Sequence, residues 1–240
     1  MHWPQLFQDL TPPDGIAFAV LIASWLILGW FTEHPPARRP SVSSLMRDYR
    51  RSWMVQFVTR QPRIFDATIV DSLRQGIGFL VSACMIAIGG GVALIGNTDR
   101  LQGLADDLSL VSSAAVIWQA KTLLVVLFVT NAMLKFVWSH RLFGYCAVLM
   151  AAVPNDPADP QALPRALQAA EINIHAAKNF NKGLRSIYFG LAALGWLLGP
   201  AALILTTAAT AYVTWRREFA SWSRQILIAG PQGVQAPPAR

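Results

Sequence analysis

Three polar side chains interrupt the apolar stretch around 114–139: Lys121, Asn131 and Lys135, with Ser139 at its end. At about 100° per residue on a helix, Lys121 and Lys135 fall about 40° apart, and Asn131 and Ser139 lie within the same arc of about 80°. A charge near the centre of a bilayer costs about 2.5–3.5 kcal/mol on insertion scales. A face with several polar groups must therefore look into a bundle or an oligomer interface. Such a face could line a polar pathway or hold an anion. The plainer alternative places the two lysines about 21 Å apart along the axis, snorkelling to opposite headgroup layers. Asn131 would then make an ordinary interhelical hydrogen bond.

Asp66 and Asp71 precede another apolar stretch, with Arg63 and Arg74 three residues from them. The spacing predicts two local ion pairs at the start of a helix; a proton-relay or cation role is the alternative. His2, His34, His140 and His175 are scattered, with no HExxH motif and no Cys/His ligand spacing. Ser139 and His140 are adjacent and so lie on different helix faces. Gly76 and Gly78 lack the third glycine and the preceding strand of a dinucleotide fingerprint. Cys84 and Cys146 sit in apolar sequence and suggest no disulfide framework. No catalytic constellation, metal site or cofactor is expected.

The elements that must position these residues are membrane helices. The 240 residues are 54% hydrophobic and only 14% charged, against about 25% charged in soluble domains. The charges are concentrated between long apolar runs. Four runs come near or exceed the 20 or so residues that cross about 30 Å of hydrocarbon: 15–32, 76–96, 114–139 and 188–215. Strands would show alternation, and backbone polar groups in lipid must be satisfied internally. The predicted class is all-α, a polytopic membrane bundle of four transmembrane helices plus cytoplasmic amphipathic helices. Residues 1–222 form the membrane domain and 223–240 a disordered tail. No internal repeat is visible. The first fourteen residues carry no Lys or Arg, so the first apolar run reads as a retained anchor rather than a signal peptide.

Orientation follows from Lys and Arg. The loop 33–75 holds Arg38, Arg39, Arg47, Arg50, Arg51, Arg60, Arg63 and Arg74, and the loop 140–187 holds Arg141, Arg165, Lys178, Lys182 and Arg185. The second loop holds only Arg100, beside Asp99, Asp106 and Asp107. An N-terminus outside the plasma membrane puts both basic loops in the cytoplasm. Arg216, Arg217, Arg224 and Arg240 then fall outside, against the rule. A bend at Gly199–Pro200 would return them, but each arm measured from Tyr188 or to Trp215 is too short to span. The net charge of +7, carried beside apolar spans, points to anionic lipid headgroups rather than nucleic acid.

Ser41 is placed to cap a helix. Val42, Leu45, Met46, Tyr49, Trp53 and Phe57 follow at helical spacing, with arginines elsewhere, the pattern of a helix lying in the membrane interface. Arg47, Arg50 and Arg51 are its expected headgroup contacts. Residues 154–160 (PNDPADP) read as a flexible connection to an Ala-rich helix over 163–184. On the second span Gly78, Ser82, Gly89 and Ala93 share a face of small residues, an expected packing seam.

Several stretches resemble the DUF599 family of membrane proteins. They are residues 63–69 (RIFDATI) with Phe79 and Ser82, and 135–145 (KFVWSHRLFGY). Further along stand Asn173 with Ala176 and Ala177, 180–185 (FNKGLR) with Tyr188 and Phe189, and 215–219 (WRREF). Thr68 and Asp71 depart from the amides expected there. The resemblance implies the membrane fold and assigns no reaction. It directs attention to a cytoplasmic cluster of Asp66, Trp138, Arg141, Tyr145, Asn173, Asn181 and Arg185, whose types suit an anionic lipid or another anion. The leading expectation is a non-enzymatic accessory protein acting through helix packing, as a homo-oligomer or in a larger membrane complex. A small channel or transporter using the polar face of the third span is the alternative. A lipid-modifying enzyme ranks last.

Overall fold

Thr11 and Pro12 open the first helix: the Asp14 carboxylate reaches back to the Thr11 backbone N–H at 3.3 Å and to its hydroxyl at 2.5 Å, and proline at the first position suits a helix start. The computed structural model describes residues 11–97 and 115–233, and every regular element among them is helical. These are α1 (Pro12–Glu33), α2 (Val42–Thr59), α3 (Ile64–Gly96), α4 (Ala115–Ala151), α5 (Ala162–Ala193), a 3-10 turn (Leu194–Leu198), α6 (Pro200–Phe219) and α7 (Trp222–Gly233). The residues up to 10, the acidic second loop with Arg100, and 234–240 lie outside the described residues.

Helices α1, α3 and α4 are long and apolar enough to cross a membrane. Two of them run well past the expected spans. The segment carrying Asp66 and Asp71 and the second span are one element, and α4 carries on from the third span to Ala151. The Ser41 cap forms as the spacing predicts, its side chain accepting from Ser44 N at 3.1 Å. Residues 152–161 connect α4 to α5 without regular structure.

The fourth run is not one helix. After Ala193 the chain tightens into the 3-10 turn and meets Gly199, at φ 118 and ψ 172. Only glycine adopts that backbone region without strain. Pro200 then starts α6, which turns back along α5. Thr206 donates to the Ala192 carbonyl at 2.8 Å, and Arg217 reaches the Tyr188 hydroxyl at 3.1 Å. The expected single span over 188–215 is therefore a helical hairpin. Apolarity alone cannot separate one long helix from two antiparallel ones; the Gly–Pro pair at the tip does.

The hairpin packs on α1. At one end Trp196 donates to the Asp14 carboxylate at 2.7 Å. At the other, Arg185 and Lys178 each approach the Glu33 carboxylate at 3.0 Å and Lys182 at 3.3 Å. Asp14 to Glu33 is about 28 Å of helix, and Lys178 to Trp196 and Pro200 to Glu218 are each about 27 Å. Each arm of the hairpin thus covers the same thickness as α1. The arms look too short only when measured from Tyr188 or to Trp215.

The expected disordered tail is also corrected. Residues 222–233 are helical apart from a kink at Gly230 (φ 63), Ser221 accepts from Arg224 N at 3.2 Å, and the Arg224 guanidinium donates to the Pro40 carbonyl at 2.8 Å. Arg39 lies over the Trp215 ring, 5.2 Å from its centroid. Arg216, Arg217 and Arg224 therefore share an end of the molecule with the first basic loop.

On α3 the packing face is the reverse of the expected one. Val70, Ile77 and Cys84 are buried against α4, and a side chain at Gly91 would strike Val126 at 2.5 Å. Gly78 and Gly89 have no neighbour within 4 Å, and Ser82 and Ala93 are exposed. The seam sits about 100 to 160° round the helix from the face in use. Bulky residues with matching hollows, rather than the smallest residues, chose the contact within the chain.

Candidate functional site

The sequence at the Glu33 end of the bundle is rich in cations on two helices. On α2, Arg47, Arg50 and Arg51 lie within one turn or so of each other. On α5, Lys178, Lys182 and Arg185 follow at i, i+4 and i+7, a single face. The fold turns these two faces toward each other. Between them and the side of α3 lies a cavity of about 770 Å³, within the usual range of ligand sites.

The charges in the cavity are unevenly matched. Glu33 is the shared partner of Lys178, Lys182 and Arg185. Arg51 donates to Glu171 at 2.7 Å. That bond holds the Glu171 carboxyl below its ordinary value and raises Arg51. Glu218 accepts from the Ser43 N–H at 3.1 Å and hydroxyl at 2.9 Å, tying α6 to the start of α2. Arg50 is different: its guanidinium donates to the neutral Asn173 side-chain oxygen, and among the described residues it pairs with no carboxylate. Burial pushes it below the ordinary arginine value, though a guanidinium remains charged. Asn173 is held in turn by the Cys146 sulfur at 3.5 Å, both fully buried. A cation is thus fixed in the cavity wall by a neutral relay. Cys84 and Cys146 are free and buried, as their apolar setting implied.

The cytoplasmic cluster expected from the sequence divides in three. Asn181 and Arg185 line the cavity, with Asn181 donating to Ser43 at 3.2 Å, and Asn173 stands behind Arg50. Arg141 and Tyr145 sit apart on the outer face of α4, bonded to each other at 3.0 Å beside Trp138. Asp66 is buried elsewhere, accepting from Trp53 at 2.6 Å and from Arg60. The expected Arg63–Asp66 pair does not form. Arg63 instead donates to the Val153 and Pro154 carbonyls, each at 2.8 Å, closing the end of α4. Asp71 bonds Gln75 at 2.8 Å rather than Arg74. Arg50, expected at the headgroups, faces inward to Asn173; Arg47 and Arg51 open onto the same cavity.

The polar face of α4 does look into the bundle. Asn131 donates to Ser186 at 2.6 Å, and Ser139 to the Ala176 carbonyl at 2.8 Å. Lys121 is 7% exposed, its ammonium 5.7 Å from the centre of the Trp196 ring, rather than snorkelling outward. Lys135 is half-buried. Asn131 and Ser139 stitch α4 to α5, and Lys121 meets the hairpin tip.

Glu33, Lys178, Lys182, Ser43 and Glu218 belong to the site without having been singled out. The spacing of Lys178, Lys182 and Arg185 was a usable signal. Glu33 was hidden because the first span was closed at Thr32. Glu218 carries no local signal, since its partner Ser43 is far away in the chain.

Three helices fit to cross a bilayer, an all-helical bundle packed on them and a cationic cavity at one end define a helical membrane protein. Within that class, the chain belongs to the family described as protein of unknown function, DUF599, whose model matches residues 16–223. No curated protein and no solved structure matches it.

Proposed function

We propose that the chain is a non-enzymatic membrane protein that binds an anionic group, of phosphate or carboxylate type, in the cavity between α2, α3 and α5. The observation that carries this reading is Arg50, a half-buried guanidinium that lines the cavity and is paired only to a neutral amide among the described residues. A partly desolvated charge with no opposite charge beside it is unfavourable, and a bound anion supplies the missing counter-charge. Arg47, one turn earlier, gives a second donor set for a forked contact. Glycerol phosphate, as a soluble probe, is expected to raise the melting temperature of the purified protein. Arg50→Gln is expected to weaken that probe about tenfold. An Arg50→Gln protein that responds like the wild type would end the reading.

The site lies on the cytoplasmic side of the plasma membrane, with the N-terminus outside. The hairpin supports five crossings: α1, α3, α4 and the two arms. This arrangement gathers Arg216, Arg217 and Arg224 with the other basic loops, removing the exception to the positive-inside rule. A Ser223→Cys protein in sealed cells is expected to resist membrane-impermeant thiol reagents added outside. Ready labelling from outside would overturn the five-crossing arrangement.

An accessory role through packing would use the outward seam of α3, where Gly78 and Gly89 admit a helix at close range. Protein that runs at monomer mass in mild detergent would remove it. The transport alternative needs the α4 polar face open to water, and the bonds from Asn131 and Ser139 to α5 work against that.

A further inference from the structure

The cavity has two unlike walls. The α2 and α5 side presents Arg47, Arg50 and Lys178, while the α3 side presents Ile77, Phe79 and Leu80. Helix α3 packs chiefly on α4 and stands away from α2 and α5 at this height. Phe79 borders the cavity yet is 74% exposed, so the apolar wall continues onto the outer surface of the bundle. The cavity also straddles a change in the sequence of α3. Asp71 and Arg74 are its last charged residues, and from Gly76 to Gly96 it has none. In a helix that enters a bilayer, that change marks the depth where headgroups give way to acyl chains. The cations sit at headgroup depth, and the apolar wall begins just below and opens sideways.

A free water-soluble anion would use only the first wall and would leave the second as an apolar hollow facing lipid. We infer that the occupant is an anionic phospholipid of the surrounding leaflet. Its phosphate lies on Arg47 and Arg50, and one acyl chain leaves between α2 and α3 along Ile77, Phe79 and Leu80. The inference rests on the anion-site reading and adds the ligand's second half. The tails need not fit inside, because the opening returns them to the bilayer. The net charge works in the same direction. Five cationic side chains on the cavity wall face three carboxylates, and the surplus favours an anionic over a zwitterionic head.

The test uses the full chain in mixed micelles with fluorescent phosphatidylglycerol, fluorescent phosphatidylcholine and glycerol phosphate as separate probes. Two variants separate the halves of the site. Arg50→Gln removes a headgroup donor. Gly76→Phe fills the apolar side; a Cβ there meets no neighbour within 4 Å, and the ring extends into the cavity. The expected result is that phosphatidylglycerol binds and phosphatidylcholine does not. Arg50→Gln should weaken phosphatidylglycerol and glycerol phosphate together, each by about tenfold. Gly76→Phe should weaken phosphatidylglycerol alone, again by about tenfold, through lost acyl contact. If Gly76→Phe leaves phosphatidylglycerol unchanged, or if glycerol phosphate binds as tightly as the lipid, the lipid assignment is wrong and the anion site stands. If neither anion binds the wild type, both readings fall.

Discussion

Glu33→Leu is expected to destabilise the protein by about 3–5 kcal/mol, the usual result of removing one partner from a buried ion pair. Among the described residues Glu33 is the carboxylate ion-paired with all three cations, and its side chain is 15% exposed against 8% for Arg185. Lys178 and Lys182 keep 41% and 35% of their side-chain exposure, so water recovers most of their loss. The cost therefore falls on Arg185, which has no such recourse. A second variant makes the attribution sharp. Glu33→Leu with Arg185→Leu should recover a large part of the lost stability, because an apolar replacement of a whole buried pair is often neutral. Glu33→Leu with Lys178→Leu should recover little. Denaturation in a detergent series reads all of them, and a Glu33→Leu protein as stable as the wild type would show that the cluster is not holding α1 to α5.

The same residue shows where the sequence was legible and where it was not. The helical periods, the Ser41 cap and the connection over 154–160 follow from local rules, and the structure keeps them. The polar face of α4 was legible as a face turned into the bundle, since lipid rejects Asn131 at mid-depth. Which helix would receive it was not, because Ser186 and Ala176 lie across a connection whose path local sequence does not set. The ion pairs near α3 failed for a related reason. Spacing permits Arg63–Asp66, but Asp66 is buried beside Trp53 and takes Arg60, while Arg63 closes the end of α4. Short range proposes partners, and burial decides between them.

The hairpin is the larger lesson. Lys178, Lys182 and Arg185 made the start of α5 look like a loop helix outside the membrane. Glu33 neutralises part of that charge at the end of α1 and lets α5 run beside α1 for its whole thickness. A sequence window scores the charges and cannot see their partner. The small-residue seam fails in the opposite direction, because it marks where a close approach is allowed and not where one occurs.

Gly183→Val is expected to destabilise the α4–α5 contact by about 1–3 kcal/mol, the range for overpacking a tight core. A side chain there would meet the Phe136 ring at 2.5 Å, and Phe136 is fully buried with the Phe180 ring tilted against it at 5.7 Å. The ring cannot swing aside into water. An opposing effect must be weighed: glycine inside a helix costs up to about 1 kcal/mol, of which a β-branched residue recovers only part. The clash therefore wins for valine; Gly183→Ala carries the same clashing Cβ and should also destabilise, but by less, since alanine recovers the full helix term and adds no further methyls. Phe136→Leu tests the cause. Alone it should cost about 1 kcal/mol or more through the space it leaves. Combined with Gly183→Val, the added methyls occupy that space. The double variant should then be more stable than the sum of the two single losses predicts, by at least about 0.5 kcal/mol. Simple additivity would mean that the ring and the glycine do not meet, and that α4 and α5 are held together by Asn131–Ser186 and Ser139–Ala176 instead.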